Sequence, residues 1–365
     1  MNRKGRQKTK KVLLIRLRRI GDVVMTTPAV ALLKQHRPSV SLTYLIEEPC
    51  RRLVEGNPHI DRIISVPRKQ KFRDFAALIR MVRRERYDAL IDFHGGPRAS
   101  WITFFSGAKR KIGYAIKHKG FLYDVRVPRS GGNGFVHSVQ NHANLVRALG
   151  IEFDDAAVPP LWLPEAKGEE TRRVREILKK ASAGEKKYIV IHIGAGNQFR
   201  DWGTENIVEL IGRLARATEF KIVLVGGEGD KKNEEEILQN IATAPAGVPS
   251  KKILSLVDQL NLIEIKALIA EAALFVGPDS GPMHIAASTM TPIVAYFGPT
   301  LPAHFAPWRP DTGMRGRTAI LQKDLDCRPC KQRECLTADV RCLRMISAEE
   351  VFSACLPFLG SGLNI

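Results

Sequence analysis

The sequence predicts an α/β protein of two tandem domains, each a parallel sheet covered by helices on both faces. Three observations carry this. Strand-like apolar runs alternate with segments of helical period from residue 11 onward; the alternation restarts beyond Pro159, Pro160 and Pro164; and 365 residues is the length of two ordinary domains. The boundary drawn from these cues gives domains of 1–165 and 166–365, with residues 1–10 as a flexible basic tail.

Taken in order, Lys11 to Leu17 reads as a buried first strand and Arg18 to Asp22 as the loop after it. Asp22 to His36 has helical spacing, with Val23, Val24, Ala29, Leu32 and Leu33 on one face. Ser41–Ile46 and Arg62–Val66 are strands, Phe72–Arg86 is a basic amphipathic helix, and Tyr87–Phe93 is a strand. The loop His94-Gly-Gly-Pro97 leads into a helix through Phe105. In the second half, Glu165–Leu178 is helical and Tyr188–Ile193 is a strand ending in the glycine-rich stretch Gly194 to Trp202. Thr204–Ala217 is a helix with Thr204 as its N-cap, and Lys221–Val225 is a strand ending in Gly226-Gly-Glu-Gly229. Then come a helix (Glu264–Ala272), a strand (Leu274–Val276), a helix (Gly281–Ser288) and a strand (Pro292–Phe297). Ligands of such sheets sit beyond the carboxyl ends of the strands, so the chemistry is sought in those loops.

Composition narrows the class. An apolar fraction of 44% excludes a disordered chain, and six Cys are too few for a disulfide scaffold. The basic start runs into only a short apolar run, Val12 to Leu17, interrupted by Arg16, so it does not read as a secretory signal. Ser280 to Trp308 lacks Asp, Glu, Lys and Arg, but its seven Gly and Pro residues rule out a spanning helix. These features predict a soluble, cytoplasmic protein. Residues 1–150 hold 31 Lys+Arg against 10 Asp+Glu, whereas residues 151–365 hold 26 against 28. The whole excess of the +19 net charge thus lies in the first half, which implies an anionic partner there: a phosphorylated substrate, an anionic membrane surface or a nucleic acid. A solvated basic face with no partner is the plainer alternative.

Several motifs sit at predicted strand ends, and each has a structural alternative. Asp279-Ser280-Gly281-Pro282-Met283-His284 opens a helix whose free N–H groups suit an anion, with Ser280 as the cap and His284 one turn in; a plain cap with a core histidine is the alternative. Arg200, in the loop from Gly194, could hold a leaving diphosphate or lie on the surface. Asp230 follows a third glycine-rich loop, where an acid suits a ribose diol. Asp22, beyond the first strand, is placed as a general base or as an ordinary helix-capping carboxylate. His94, Gly95 and Arg98 occupy a neighbouring strand-end loop. Cys327, Cys330, Cys335 and Cys342 match the ligand count of a structural zinc site, though not a usual finger spacing; free thiols are the alternative. No Walker A lysine motif, HExxH or G-x-G-x-x-G after the first strand occurs.

Together, Ile20-Gly-Asp-Val-Val-Met-Thr-Thr-Pro-Ala29, Arg200-x-Trp202, Asp279-Ser-Gly-Pro-Met-His-Ile-Ala-Ala287 and Pro292-Ile-Val-Ala-Tyr-Phe-Gly-Pro299 resemble glycosyltransferase family 9, the ADP-heptose:lipopolysaccharide heptosyltransferases. The stretch Tyr87 to Tyr114 is most similar to the heptosyltransferase III branch. The resemblance implies a GT-B fold: two Rossmann-like doubly wound domains facing across a cleft, acceptor-binding first and donor-binding second. It implies an inverting transfer of heptose from ADP-heptose to the lipopolysaccharide inner core, with no cofactor or catalytic metal required. Asp22 matches the base. Gly194, Arg200, Asp230, Asp279, Ser280, Gly281 and His284 match the donor site, with Arg200 where many members carry Lys, and His94, Gly95 and Arg98 fall to the acceptor side. The partners implied are a nucleotide-sugar donor, a lipid A–core acceptor and the anionic inner face of the inner membrane. A family member using another nucleotide sugar is the first alternative. A basic nucleic-acid-binding module is the second, disfavoured by 7% aromatics and the lack of a stacking motif.

Overall fold

The structure, a computed structural model, describes residues 10–116, 120–129, 136–184, 187–194, 196–243, 248–310, 317–330 and 332–360. The expected flexible tail over 1–10 lies outside the described residues except for Lys10, as does Ala195 of the glycine-rich loop. The chain divides into two compact units, Met1–Pro164 and Glu165–Ile365.

The first unit runs β1 (Lys11–Ile15), α1 (Ile20–Val24), α2 (Thr27–His36), β2 (Ser41–Glu47), β3 (Arg62–Val66), α3 (Phe72–Arg84), β4 (Ala89–Asp92), α4 (Pro97–Phe105), β5 (Arg110–Tyr114), β6 (Val125–Val127) and α5 (Ser138–Arg147). Its sheet order is β3-β2-β1-β4-β5-β6, with every pair parallel. Val12 to Ile15 are buried, as the continuous apolar run demands of a strand covered on both sides. The single helix expected over Asp22–His36 is two helices. Pro28 has no N–H for the Val24 carbonyl; the Thr27 hydroxyl donates to that carbonyl instead at 2.8 Å, and the Thr26 hydroxyl donates to Val23 O at 2.7 Å.

The second unit runs α6 (Glu169–Lys180), β7 (Tyr188–His192), α7 (Thr204–Ala217), β8 (Lys221–Val225), α8 (Lys231–Thr243), β9 (Ile253–Ser255), α9 (Leu262–Ala270), β10 (Leu274–Pro278), α10 (Gly281–Ala287), β11 (Ile293–Phe297), α11 (Pro302–Phe305), β12 (Thr318–Gln322), α12 (Arg341–Arg344) and α13 (Ala348–Leu359). Its order is β12-β11-β10-β7-β8-β9, again all parallel. The expected N-cap Thr204 is instead the first helical residue of α7: Gly203 occupies the cap, and the Thr204 hydroxyl donates to Glu236. Tyr188, Ile189, Val190, Leu274, Phe275 and Val276 are all buried.

Numbered within its own unit, each sheet has the order 3-2-1-4-5-6, so the winding reverses between the first and fourth strands. In the first unit that switch point lies between β1 and β4, followed by Arg16–Asp22 and His94. In the second it lies between β7 and β10, followed by Gly194 and Asp279–Ser280.

Candidate active site

At the first switch point the chain leaves β1 through Arg16. This residue is buried, and its guanidinium is held at two points: Nη1 donates to Phe93 O at 2.7 Å, and Nη2 pairs with Asp22 Oδ2 at 2.6 Å. The Asp22 side chain is 33% exposed against 7% for Arg16, so the carboxylate is open to solvent while its counter-ion is not. Burial raises the Asp22 carboxyl, but Arg16 and the Arg19 N–H, which donates to it at 3.4 Å, outweigh that and hold it below its ordinary value. Asp22 is the third residue of α1 and accepts the cap-position N–H, yet it also presents an ionised oxygen. His142 on α5 stands nearby, bonded through Nδ1 to the Tyr114 hydroxyl at 2.6 Å; burial holds it neutral, and its Nε2 is buried with no hydrogen-bond partner.

The loop after β4 is shaped by Asp92. Its Oδ1 accepts the N–H groups of His94 (2.8 Å) and Gly95 (2.9 Å), and its Oδ2 accepts the Tyr123 hydroxyl at 2.7 Å. Tyr123 reaches it only because residue 113 is glycine, where a Cβ would lie 2.3 Å from the ring. Gly95 has φ +66°, and its Cβ would sit 2.7 Å from Ile116. His94 is half-buried and pushed down to about 4, mainly by burial and then by Arg16, so it is neutral at pH 7. Arg98, expected on the acceptor side, is engaged within its own unit. Its guanidinium donates to Pro67 O (3.1 Å), Arg68 O (3.2 Å) and Glu47 (3.3 Å), and to Gln70, and so ties down the β3–α3 connection.

At the second switch point, Asp279 is buried and engaged through Oδ2 and its carbonyl. Its Oδ2 accepts the Thr300 hydroxyl at 2.6 Å and pairs with Arg200 at 3.2 Å, while its carbonyl accepts Arg200 Nη1 at 3.0 Å. Arg200 Nε donates to Gln332 at 2.9 Å, and the Gln332 oxygen also accepts Asn197. His284 lies 3.8 Å from Asp279 Oδ1. Ser280 occupies the N-cap position of α10, but its hydroxyl does not cap; it lies 3.2 Å from Nδ1 of buried His192 instead, which corrects the expected capping bond. The start of α10 at Gly281 therefore carries no side-chain cap. Asp230 sits over the glycines that end β7 and β8. A Cβ at Gly194 would lie 1.9 Å from its Oδ1, and Gly227 N–H donates to its Oδ2 at 2.8 Å. Burial pushes Asp230 up, and Asp201 adds to this.

The four thiols expected as a zinc site surround one cavity of about 20 Å³, with Phe199, Pro299, Leu336 and Val340 among its walls. All four are free, and among the described residues no group of three or more His, Cys, Asp or Glu side chains is placed to hold a metal ion. Cys335 bonds Thr337 at 3.3 Å, whereas Cys342 is buried and raised. The four thiols, free here, line one apolar pocket.

The structure thus gathers Asp22, His94 and Gly95 within the first unit, and Arg200, Asp279, Ser280, Gly281 and His284 within the second, with Asp230 and Gly194 paired beside them. Sequence reasoning missed Arg16, Asp92, His142 and Thr300 as members. A lone cation ending an apolar strand run was the one available signal, and it pointed to Arg16.

A profile of glycosyltransferase family 9 (heptosyltransferase) matches residues 75–340. The chain is similar to Escherichia coli lipopolysaccharide heptosyltransferase 3, at 26% identity over 79% of this chain and 83% of that protein. A family 9 glycosyl transferase of Veillonella parvula superposes with a TM-score of 0.78 at 22% identity, covering 96% of this chain and 97% of that one. The ADP-heptose lipopolysaccharide heptosyltransferase II of Escherichia coli does so with 0.74 at 21%, covering 96% and 98%. The fold is GT-B, two Rossmann-like doubly wound domains. No helix among the described residues is long and apolar enough to cross a membrane.

Proposed function

Because the chain belongs to glycosyltransferase family 9, we propose that it transfers heptose from ADP-heptose to a hydroxyl of the lipopolysaccharide inner core, with inversion at the anomeric carbon. The acceptor oxygen attacks that carbon as Asp22 takes the hydroxyl proton; the bond to the ADP oxygen breaks on the opposite face, and ADP leaves with the electron pair. Arg16 acts through Asp22, fixing the carboxylate and keeping it ionised at neutral pH. A carboxylate of low pKa is a weak base, so its proton transfer belongs late, when the new C–O bond has already acidified the hydroxyl.

In the second unit, Arg200 and the uncapped backbone at Ser280–Gly281 take up the charge that grows on the leaving diphosphate. Asp279 acts through Arg200, holding the guanidinium by carboxylate and carbonyl together. Asp230 is assigned to the ribose hydroxyls, and Gly194 gives it room. On the acceptor side the role falls to His94 and Gly95, with Arg98 reduced to positioning the neighbouring loop. The lipid A–core acceptor places the enzyme on the cytoplasmic face of the inner membrane.

The observation that carries this reading is the half-open Asp22 carboxylate held by a buried arginine at the end of β1. The test is to incubate the protein with ADP-heptose and truncated lipopolysaccharides of defined length and weigh the products. Gain of one heptose on one truncation supports the reading. Transfer only from a UDP- or GDP-sugar, or to none of the truncations, overturns it.

A further inference from the structure

Helix α4 buries one side and turns aromatic rings outward on the other. Ala99, Ser100, Ile102 and Thr103 are buried. On its other side Trp101, Phe104 and Phe105, at i, i+3 and i+4 spacing, are 44%, 39% and 42% exposed. The three rings touch one another: Trp101 stacks on Phe105 at 5.7 Å, and Phe104 meets Trp101 at 6.0 Å and Phe105 at 5.0 Å edge-on. Phe121, 68% exposed and 17 positions later in the sequence, meets Phe104 edge-on at 6.3 Å. A surface helix ordinarily turns a polar face to water, and a contiguous apolar patch on a soluble protein marks a partner.

The composition of the patch and its surroundings say which partner. It is made of Trp and Phe, the flat, polarisable rings that favour a membrane–water boundary. Residues 67–129, which contain it, hold 16 Lys+Arg against 5 Asp+Glu. Arg83 lies against Gly107 just beyond the helix, where a Cβ would come within 3.2 Å of it, and Arg126 lies 2.8 Å from the same position of Gly120, beside Phe121. Three of those acids are already paired with cations: Glu85 with Lys11 and Arg62, Asp88 with Lys109, and Asp124 with Lys111. An aromatic patch in a field of uncompensated cations is complementary to an anionic bilayer: rings for the acyl boundary, arginines and lysines for the headgroups.

We infer that Trp101, Phe104, Phe105 and Phe121 form a wedge that inserts into the headgroup–acyl boundary of an anionic membrane. The inference deepens the proposed function, whose acceptor is a lipid held in a bilayer, but its test needs no acceptor. The full chain is mixed with phosphatidylglycerol/phosphatidylethanolamine vesicles and, separately, with phosphatidylcholine vesicles. Trp101 fluorescence should shift to the blue and be quenched by brominated acyl chains on the anionic vesicles only, and Trp101→Phe should remove that signal. The double variant Phe104→Ser/Phe121→Ser should bind anionic vesicles about tenfold more weakly at fixed salt, while Phe72→Ser, equally aromatic and 85% exposed but outside the patch, binds as the parent does.

Transfer to a soluble, deacylated acceptor should be unchanged in the double variant, so loss of docking and loss of the transferase reading are told apart. Unaltered vesicle binding by the double variant, or Trp101 emission indifferent to vesicles, overturns the wedge. So does a parent dimer that the double variant converts to monomer without changing vesicle affinity, since the patch would then join two copies. If the double variant does not fold, the Trp101 quenching result decides alone.

Discussion

The two units share one strand order and place a carboxylate beside the same topological reversal, yet they treat it in opposite ways. Asp22 keeps a third of its side chain in solvent, with the buried Arg16 guanidinium and the Arg19 N–H behind it. Asp279 has 5% of its side chain exposed and is taken up by Thr300 and Arg200. The first arrangement keeps the carboxylate open to solvent; the second buries it and fixes a cation with it. Identical topology therefore does not dictate role. Exposure does.

The sharpest way to break this contrast is to remove the engaged carboxylate. Asp279→Ala should destabilise the second unit by about 3 kcal/mol in denaturant titration, because it leaves the Thr300 hydroxyl without its acceptor and the half-buried Arg200 guanidinium without its carboxylate. A change within experimental error would mean Asp279 is not the scaffold described. Next in size, Arg200→Met should weaken ADP binding by about 2 kcal/mol, roughly thirtyfold, with Arg200→Lys recovering part of it; calorimetric titration with ADP measures both. Equal affinity in all three proteins would remove Arg200 from the donor site.

Smaller effects sharpen the first unit. Gly113→Ala pushes a methyl group into the Tyr123 ring and should loosen the Asp92–His94 loop, at a stability cost of about 2 kcal/mol. Arg16→Met removes the charge that depresses Asp22, so the acid limb of the kcat–pH profile should move to higher pH; an unmoved limb would mean Arg16 does not set the ionisation. The last concerns both units, since His94 and His192 are each held to about 4, mainly by burial. Their folded values lie below the ordinary 6.5, so the unfolded chain binds more protons, and stability present above pH 6.5 is lost as the pH falls towards 4. His192→Asn should flatten that loss in an unfolding series across this range.

The strands with continuous apolar runs were legible because sheets covered on both sides demand them: Val12–Ile15, Tyr188–His192 and Lys221–Val225 all stand where the pattern put them. The three-residue edge strands β6 and β9 carry no such run. Helix α5 hides its period because buried Asn141 and His142 interrupt its apolar face. Strand-end positions of the site residues were legible for the same topological reason. Their partners were not, because they come from afar in sequence: Arg98 reaches carbonyls about thirty residues back, and Ser280 turns to His192, 88 residues away. Counting thiols could find Cys327, Cys330, Cys335 and Cys342 but not that they line one apolar pocket with Phe199 and Leu336.

Asp22→Asn is the most direct probe of the carboxylate as proton acceptor, since the amide oxygen can still receive the Arg16 guanidinium while losing its basicity. Single-turnover rate and ADP-heptose affinity are measured separately on the folded variant. A rate lower by about 10²- to 10⁴-fold with donor affinity little changed is the expected result. Turnover close to the parent's, or rate and affinity falling together, would contradict it.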